Sequence, residues 1–370
     1  MTQTSFTSQR VDHPAIAHLT ADQRQQFAGA VDAIGARIMA ERGAGDAGYI
    51  RRLIKIQRWL EVAGRVLIFA GILHASGFII GALVLGLAKI LENMEIGHNV
   101  IHGQWDWLRD PDIHSSTWEW DCVCPSAQWQ RSHNYLHHKW TNVIGMDRDF
   151  GYHILRLSDK QPWKPGYVVQ PLSNLMMALF FEWGVAIHDD ELATLREGKP
   201  AQNAAAKLTA LKRKISRQVL KDYLFFPLLA GPFFLPVLFA NLVANLIRNV
   251  WAYAVIFCGH FPDGVAEFTP EQVANEDRAH WILRQILGSA NIRGGKLMHI
   301  LSGNLSHQIE HHLFPTMPSN RYAEAAVEVR ALCDQFGIPY NSYGLGRQLF
   351  TVWRKVFRYA LPPRRASVSA

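Results

Sequence analysis

The stretch VLIFAGILHASGFIIGALVLGLA occupies residues 66–88 and carries no formal charge. A helix of about 20 apolar residues is long enough to cross the hydrocarbon core of a membrane. The segment 223–247 is also uncharged, and after Arg248 the apolar character continues over residues 249–260. Two apolar regions of this length, far apart in the chain, predict an integral membrane protein.

Small residues, proline and asparagine interrupt both regions where a hairpin would turn. We therefore predict two helical hairpins, at about residues 59–95 and 223–259. The first would turn near the residues HASG at 74–77. The second would turn near Asn241 and Asn245, which places Arg248 close to the outer turn. The predicted fold class is all-α, with about four transmembrane helices.

Basic residues just outside membrane spans mark the cytoplasmic side, and they cluster before both predicted hairpins. They are Arg51, Arg52, Lys55 and Arg58 before the first, and Lys207, Lys212, Arg213, Lys214, Arg217 and Lys221 before the second. Residues at about 96–222 and 260–345 would then form one cytoplasmic helical cap. The predicted location is the inner membrane, with several crossings. The net charge of +7 fits an anionic membrane face or an acidic protein partner better than nucleic acid.

The two ends of the chain differ from its middle. Residues 1–45 look like a polar leader that packs weakly and carries no chemistry, and they lack the apolar core of a signal peptide. Residues 351–370 form a basic C-terminal tail. The four cysteines have the spacing of neither a disulfide framework nor a zinc ribbon, which fits a reducing compartment.

Histidines are concentrated in three boxes, HNVIH at 98–102, HNYLHH at 133–138 and HQIEHH at 307–312, and one more follows the second apolar region. The box residues and this additional histidine are His98, His102, His133, His137, His138, His260, His307, His311 and His312. A spacing of four residues places two side chains on one helix face. All the boxes fall on the same predicted side of the membrane, so their imidazoles are expected to converge.

Imidazole binds zinc, copper, iron and nickel. A zinc ion takes three or four protein ligands, and eight or nine histidines are twice that number, so we predict two metal ions. Two metals beneath an apolar region suggest iron and dioxygen acting on an apolar substrate. Carboxylate-type di-iron bundles need repeated Glu-x-x-His motifs, and we find one, Glu95 to His98, and no clear second. No dinucleotide-binding or phosphate-binding loop is evident, so we expect no bound nicotinamide or flavin.

The remaining histidines are scattered. We assign no chemistry to His13, His18, His74, His153, His188 and His280, and leave His114 and His299 undecided. Tryptophans surround the boxes, and for most of them anchoring at the membrane interface is favoured over lining a substrate tunnel. These residues are Trp105, Trp107, Trp118, Trp120, Trp129 and Trp140.

The boxes and their surroundings, including ENMEIGHNVIHGQWDW at 92–107 and GSANIRGGKLMHILSGNLSHQIEHHLFPTMPSNRY at 288–322, resemble the integral-membrane fatty acid desaturases. Over residues 50 to 345 the chain is most similar to bacterial and mycobacterial acyl-CoA desaturases of the stearoyl-CoA and linoleoyl-CoA type. The resemblance implies a desaturase domain at 46–350 with four membrane helices and a cytoplasmic di-iron centre. It also implies that dioxygen is the co-substrate.

The resemblance further implies metal ligands by position. They are His98, His102, His133, His137, His138, His260, His311 and His312. The family also places a histidine or glutamine three residues before the last pair, which is Gln308 here, whereas the four-residue spacing of the other boxes favours His307. Both stay open at this point.

The expected reaction introduces a cis double bond at Δ9 of a saturated C16–C18 acyl-CoA. The QIEHH form of the third box keeps a Δ6, front-end or acyl-lipid desaturase open. We find no cytochrome b5 haem motif, so electrons are expected from NADPH through a separate ferredoxin-type or reductase protein. A fatty acid or alkane hydroxylase would share the ligands, and a membrane metal carrier is the alternative of another class.

Overall fold

The computed structural model describes residues 13–188 and 204–363, which form a mostly helical protein. The helices are α1 (Ala21–Ala40), α2 (Ala44–Ala70), α3 (Ser76–Ile90), α4 (Ser126–Trp129), α5 (Gln170–Leu179), α6 (Phe181–Ile187), α7 (Ala204–Val219), α8 (Phe234–His260), α9 (Arg278–Leu287), α10 (Lys296–Leu301), α11 (Gln308–Leu313), α12 (Tyr322–Phe336) and α13 (Leu345–Ala360). Strands β1 (Asn291–Arg293) and β2 (Ser342–Gly344) pair in parallel. The all-α class is therefore confirmed, with this one short sheet added.

Three of these helices continue through π-helical turns, in which an extra residue per turn rotates the side chains that follow. Helix α3 continues through Leu91–His98 and Asn99–Ile101, and α4 continues through Gln130–His137 and His138–Trp140. Helix α7 continues through Leu220–Phe225 and Phe226–Leu229. The first two π-helical turns carry histidines of the first and second boxes, so they determine where these side chains point.

The first predicted hairpin is present as α2 and α3, which turn at residues 71–75. The two helices pack so closely that glycine is required at their contact. A Cβ atom added to Gly64 would lie 2.7 Å from the backbone nitrogen of Leu85, and one added to Gly81 would lie 2.5 Å from that of Ile68. Glycine thus sets the distance between the helices that lead into the first histidine box.

The second hairpin turns about ten residues earlier than we predicted. The chain reverses at Gly231–Phe233, where Gly231 has a positive φ that favours glycine, and α8 then runs without a break to His260. Asn241 and Asn245 lie inside this helix and are buried. They do not mark a turn because their side chains bond to the opposite arm: Asn241 donates to the Asp222 carbonyl oxygen at 2.7 Å.

A buried network of charges joins the two hairpins. The Lys89 ammonium lies 2.8 Å from the carboxylates of both Asp121 and Asp222, and the Arg65 guanidinium lies 2.8 Å from Asp222. Charged groups away from water are stable only when they are paired and hydrogen-bonded. These contacts fix α2, α3 and the continuation of α7 relative to one another, and Asp222 also accepts from Asn245 of α8 at 3.3 Å.

The prediction for Arg248 was wrong. It does not lie at an outer turn but in the middle of α8, where its side chain is almost fully buried and forms an ion pair with Glu182 of α6. Its guanidinium also donates to the Asp121 carbonyl oxygen at 3.0 Å and to the Asn249 side chain at 3.0 Å. Sequence alone gave no sign of these partners, because they come from distant segments.

The predicted leader packs more tightly than we expected. Within it, α1 buries Phe27, Val31 and Ile38 against α9 and α12 of the cap. Its Thr20 side chain and Gln23 form a capping box at the helix start. At the other end, α13 spans the predicted boundary at residue 350, and its Val352 and Val356 are fully buried. Residues 1–12 and 364–370 of these segments lie outside the described residues.

Two continuous helical segments among the described residues are long and apolar enough to cross a membrane, Ser76–Ile101 and Gly231–His260. The first segment ends at Ile101, inside the first box, and the second ends at His260. The two segments also contact each other along their length. The structure therefore brings the ends of both segments to the same place.

Candidate metal centre

The box histidines meet in two neighbouring groups at the ends of the two apolar segments. Members of the first group have one ring nitrogen each within 4.8 Å of the others, and they are His98, His102, His133 and His311. The second group meets the same limit and consists of His137, His260 and His312. All seven side chains are buried.

His138 lies between the two groups. Its ring centroid is 4.8 Å from those of His102 and His311 and 4.4 Å from that of His312. Neither of its ring nitrogens has a hydrogen-bond partner. This buried side chain is therefore placed to contact either position.

The two candidates from the third box have different surroundings. His307 precedes the first turn of α11 and has a non-helical backbone, so the four-residue spacing does not apply to it. Its ring stacks on His299 at 4.6 Å, and it belongs to neither group. Gln308 begins α11, and its side-chain nitrogen lies 2.9 Å from Nε2 of His260. The structure thus places Gln308, not His307, beside the second group.

Most rings in the two groups are held through the nitrogen that faces away from the centre. Nδ1 of His137 contacts the Asp147 carboxylate at 3.0 Å, that of His133 contacts Asp149 at 3.0 Å, and that of His311 contacts the Tyr322 hydroxyl at 3.1 Å. Nδ1 of His98 and His312 contacts the side chains of Asn99 and Gln285 at 2.9 Å and 3.0 Å. Histidines that bind metals are usually oriented in this way.

Five of the ring nitrogens in the two groups are buried and without partners. This applies to Nε2 of His98, His102, His133, His137 and His311. A buried acceptor without a partner costs about 1–3 kcal/mol, so several at one place indicate a missing ligand. Imidazole nitrogens suit first-row transition metals. The first group provides four imidazoles and the second provides three. The residues present therefore fit two metal ions.

Burial keeps most of these imidazoles neutral, which is the form that binds metals. It lowers the pKa of His133, His138 and His311 well below the ordinary value, and neighbouring imidazoles lower it further. His137 differs. Burial also opposes its charged form, but the Asp147 carboxylate outweighs this effect and raises the pKa of His137.

Sequence reasoning missed the carboxylates behind the second box. Asp147 and Asp149 follow that box by about ten residues and belong to no helical repeat with it. The His-rich box followed by Asp-x-Asp was the only available signal. We also assigned no chemistry to His188, but its Nε2 lies 3.7 Å from the Asp149 carboxylate and has no hydrogen-bond partner.

A narrow cavity of about 50 Å³ adjoins the first group. Its wall includes His98 and His133 of the first group and the apolar side chains of Met94, Phe181 and Ile256. Its polar wall residues include Glu182, Arg248 and Asn249. A mostly apolar lining is typical of ligand sites for small molecules. A narrow cavity with this lining suits an alkyl chain.

Two of the tryptophans line the cavity, Trp120 and Trp129. Trp129 stacks on the His133 ring at 4.3 Å, so one side chain contacts both the cavity and the first group. For these two residues, lining a tunnel describes the position better than interface anchoring. Trp105, by contrast, is fully buried in a separate apolar cluster.

The chain is similar to known desaturases over most of its length. The family model described as fatty acid desaturase matches residues 48–344. The NADPH-dependent stearoyl-CoA 9-desaturase of Mycobacterium tuberculosis is 48% identical over 358 residues, which cover 95% of this chain and 84% of that protein. The sn-1 linoleoyl-lipid 6-desaturase of Synechocystis is 26% identical over 80% of this chain and 83% of that protein. The acyl-lipid (7-3)-desaturase of Rebecca salina is 27% identical over 78% of this chain and 65% of that protein.

Proposed function

Because the chain belongs to the fatty acid desaturase family, we propose that it is an acyl-CoA Δ9-desaturase. It would remove two hydrogens from carbons 9 and 10 of a saturated C16–C18 acyl chain and leave a cis double bond. Dioxygen would be reduced to two waters with these two hydrogens, two electrons and two protons from solution. The family assignment rests on the match over residues 48–344 and on the 48% identity to a named desaturase.

The observation that carries the proposal is the pair of histidine groups beside an apolar cavity. Iron bound by these residues would supply dioxygen activation and hydrogen abstraction. We propose His98, His102, His133 and His311 as ligands of one ion and His137, His260 and His312 as ligands of the other. His138 is proposed as a ligand between the two, and Gln308 as a ligand or a water-holding group beside His260.

The residues of the chain would position the acyl chain and protect the reaction. The cavity walls exclude water, which favours extended packing of an alkyl chain against Met94, Phe181 and Ile256. Trp129 is positioned to hold such a chain beside His133. Asp147 and Asp149 orient the rings of His137 and His133 through Nδ1, so that their Nε2 atoms stay directed toward the metal positions.

The Δ9 position and the CoA thioester come from the relative with the higher identity. The stearoyl-CoA 9-desaturase is 48% identical, whereas the 6-desaturase is 26% identical, although the third box of this chain contains QIEHH. The name of the first relative also includes NADPH dependence. We therefore propose that electrons from NADPH reach this chain through a separate ferredoxin-type or reductase protein.

We also propose that both hairpins lie in the inner membrane, with the metal site on the cytoplasmic side. Large exposed apolar side chains support this arrangement because they occur on all four arms. They include Val62 and Val66, Ile79 and Leu83, Phe225 and Leu228, and Leu235 and Phe239. Such a surface is favourable in lipid and costly in water. The basic residues before each hairpin support the orientation.

The test is lipid analysis in a desaturase-deficient host that expresses this chain with a matched electron-donor protein. Mass spectrometry would locate the new double bond, with His137→Ala as the inactive control. We expect a Δ9 olefin that is absent from the control. A Δ6 olefin would assign the chain to the front-end group, and a hydroxylated product would assign it to the hydroxylases. Absence of both product and bound iron would overturn the proposal.

A further inference from the structure

We propose that the ion pair between Glu182 and Arg248 is the floor of the acyl cavity and limits the length of the alkyl chain beyond the double bond. The inference rests on the proposed desaturase function and adds to it a specificity determinant. Both side chains line the cavity that His98 and His133 also line. A charged floor beneath an apolar cavity is unusual, so its role needs an explanation.

The course of the helices gives the direction of the cavity. Helices α3 and α8 both run toward the histidine groups, and they line the cavity with Asn93 and Arg248 on the side away from those groups. From Ile256, near the metal end, to Arg248 the wall follows α8 for eight residues. At a rise of about 1.5 Å per residue, this distance is about 12 Å.

That depth matches the length of the methyl end of the substrate. With single bonds of about 1.5 Å and angles near 111°, an extended alkyl chain advances roughly 1.25 Å per bond. A C18 chain has eight bonds beyond carbon 10, which extend roughly 10 Å, and a C20 chain extends roughly 12.5 Å on the same basis. When the radius of the terminal methyl is added, the C18 chain just reaches the floor. The C20 chain is too long and collides with it.

The floor is fixed because every group in it already has partners. The Arg248 guanidinium bonds to Glu182, to the Asn249 side chain and to the Asp121 carbonyl oxygen. A Glu182 carboxylate oxygen lies 3.3 Å from the backbone nitrogen of Val123. An alkyl chain has no polar atoms that could replace these hydrogen bonds. Breaking the ion pair would leave a buried charge without a partner, which is strongly destabilising. The chain end therefore stops at the pair instead of displacing it.

Ala252 allows the floor to be raised without breaking the pair. It lines the cavity one helical turn after Arg248, toward the metal end, and is fully buried. In Ala252→Leu the added carbons narrow the cavity about 6 Å above the floor, and the two additional methylenes make a C18 chain harder to accommodate there than a C16 chain. One surplus methylene in an apolar pocket changes kcat/KM by roughly 10- to 200-fold, so the C18-to-C16 ratio of kcat/KM should fall by about that factor.

Val250→Leu is the matched control. Val250 lies two residues away on the same helix, is 43% exposed and does not line the cavity. The C18-to-C16 ratio of kcat/KM in Val250→Leu should equal that of the wild type. A second variant, Glu182→Ala with Arg248→Met, removes both charges together and should open the floor, so that C20 acyl-CoA is converted.

The experiment measures olefin formation from C14, C16, C18 and C20 acyl-CoAs in the purified chain with its donor protein, and the position of each new bond. A lower C18-to-C16 ratio in Ala252→Leu, with the bond still at Δ9, supports the floor. An unchanged ratio overturns it, and so does a shift in bond position at a constant ratio. A lack of olefin in the wild type, by contrast, overturns the proposed function itself.

Discussion

The carboxylate behind His137 offers a sharp test of the metal centre. Asp147 is buried, and its side chain accepts three contacts: His137 Nδ1 at 3.0 Å, the backbone N–H of Asn142 at 2.8 Å and that of Asp149 at 2.9 Å. The substitution Asp147→Asn keeps the size of the side chain and removes its charge. An amide has only one acceptor oxygen, so its NH₂ group must face a backbone N–H in either orientation.

The substitution has two effects, one on metal affinity and one on folding stability. Loss of the hydrogen-bond partner of a metal-binding histidine typically lowers metal affinity 10- to 100-fold. This corresponds to about 1.4–2.7 kcal/mol at about 1.4 kcal/mol per factor of ten. The mismatched amide also leaves a buried donor unsatisfied, which costs about 1–3 kcal/mol of folding free energy. We therefore expect weaker iron binding together with moderate destabilisation.

The assay is iron content per chain after equilibration against a series of competing chelator concentrations, with Tm measured in the same detergent. Asp46→Asn is the matched control, because Asp46 is a buried carboxylate that pairs with Arg321 at 2.8 Å, away from the histidines. The control should lose stability and keep the iron affinity of the wild type. If Asp147→Asn also keeps that affinity, the carboxylate has a structural role only and the reasoning fails.

Three further outcomes are expected. Gln308→Ala should lower iron occupancy at limiting iron, whereas His307→Ala should leave it unchanged; the opposite pattern in elemental analysis would return His307 to the ligand set. Gly64→Ala should lower Tm by an amount equivalent to about 1–3 kcal/mol, because its Cβ would overlap Leu85 at the crossing of α2 and α3; an unchanged thermal melt would contradict that close contact. The iron-free protein should lose stability as the pH falls below about 6.5. Burial lowers the pKa of five box imidazoles in the folded chain, so the unfolded chain binds more protons in this range. A Tm independent of pH from 7.5 to 5.5 would refute this expectation.

The histidine groups were largely predictable because their signals are local. In the first two boxes, spacing within one helix decides which rings share a face, and the rings of His98 and His102 do lie 4.6 Å apart. The same rule failed for His307, because a helix imposes its spacing only on residues inside it and α11 begins one residue later. The start of a six-residue helix depends on its packing, which no short motif encodes.

The second hairpin shows the same limit on a larger scale. Asparagine and a small residue favour a turn in isolation, but Asn241 and Asn245 find partners on the facing arm and stay helical. The chain turns instead at Gly231, where a proline follows a glycine that adopts a positive φ. Long-range hydrogen bonds therefore overrode a local turn preference.

The sequence by itself determined that the protein is helical, that it contains two long apolar segments and that its histidines cluster by type and spacing. Composition and short periodic patterns carry these properties, since each depends on neighbours along the chain. Only the tertiary structure decided which carboxylates support the rings, whether His307 or Gln308 lies beside the second group and which residues line the cavity. Asp147 and His137 are ten residues apart, and Glu182 and Arg248 are 66 residues apart, so their contacts exist only after the chain has packed.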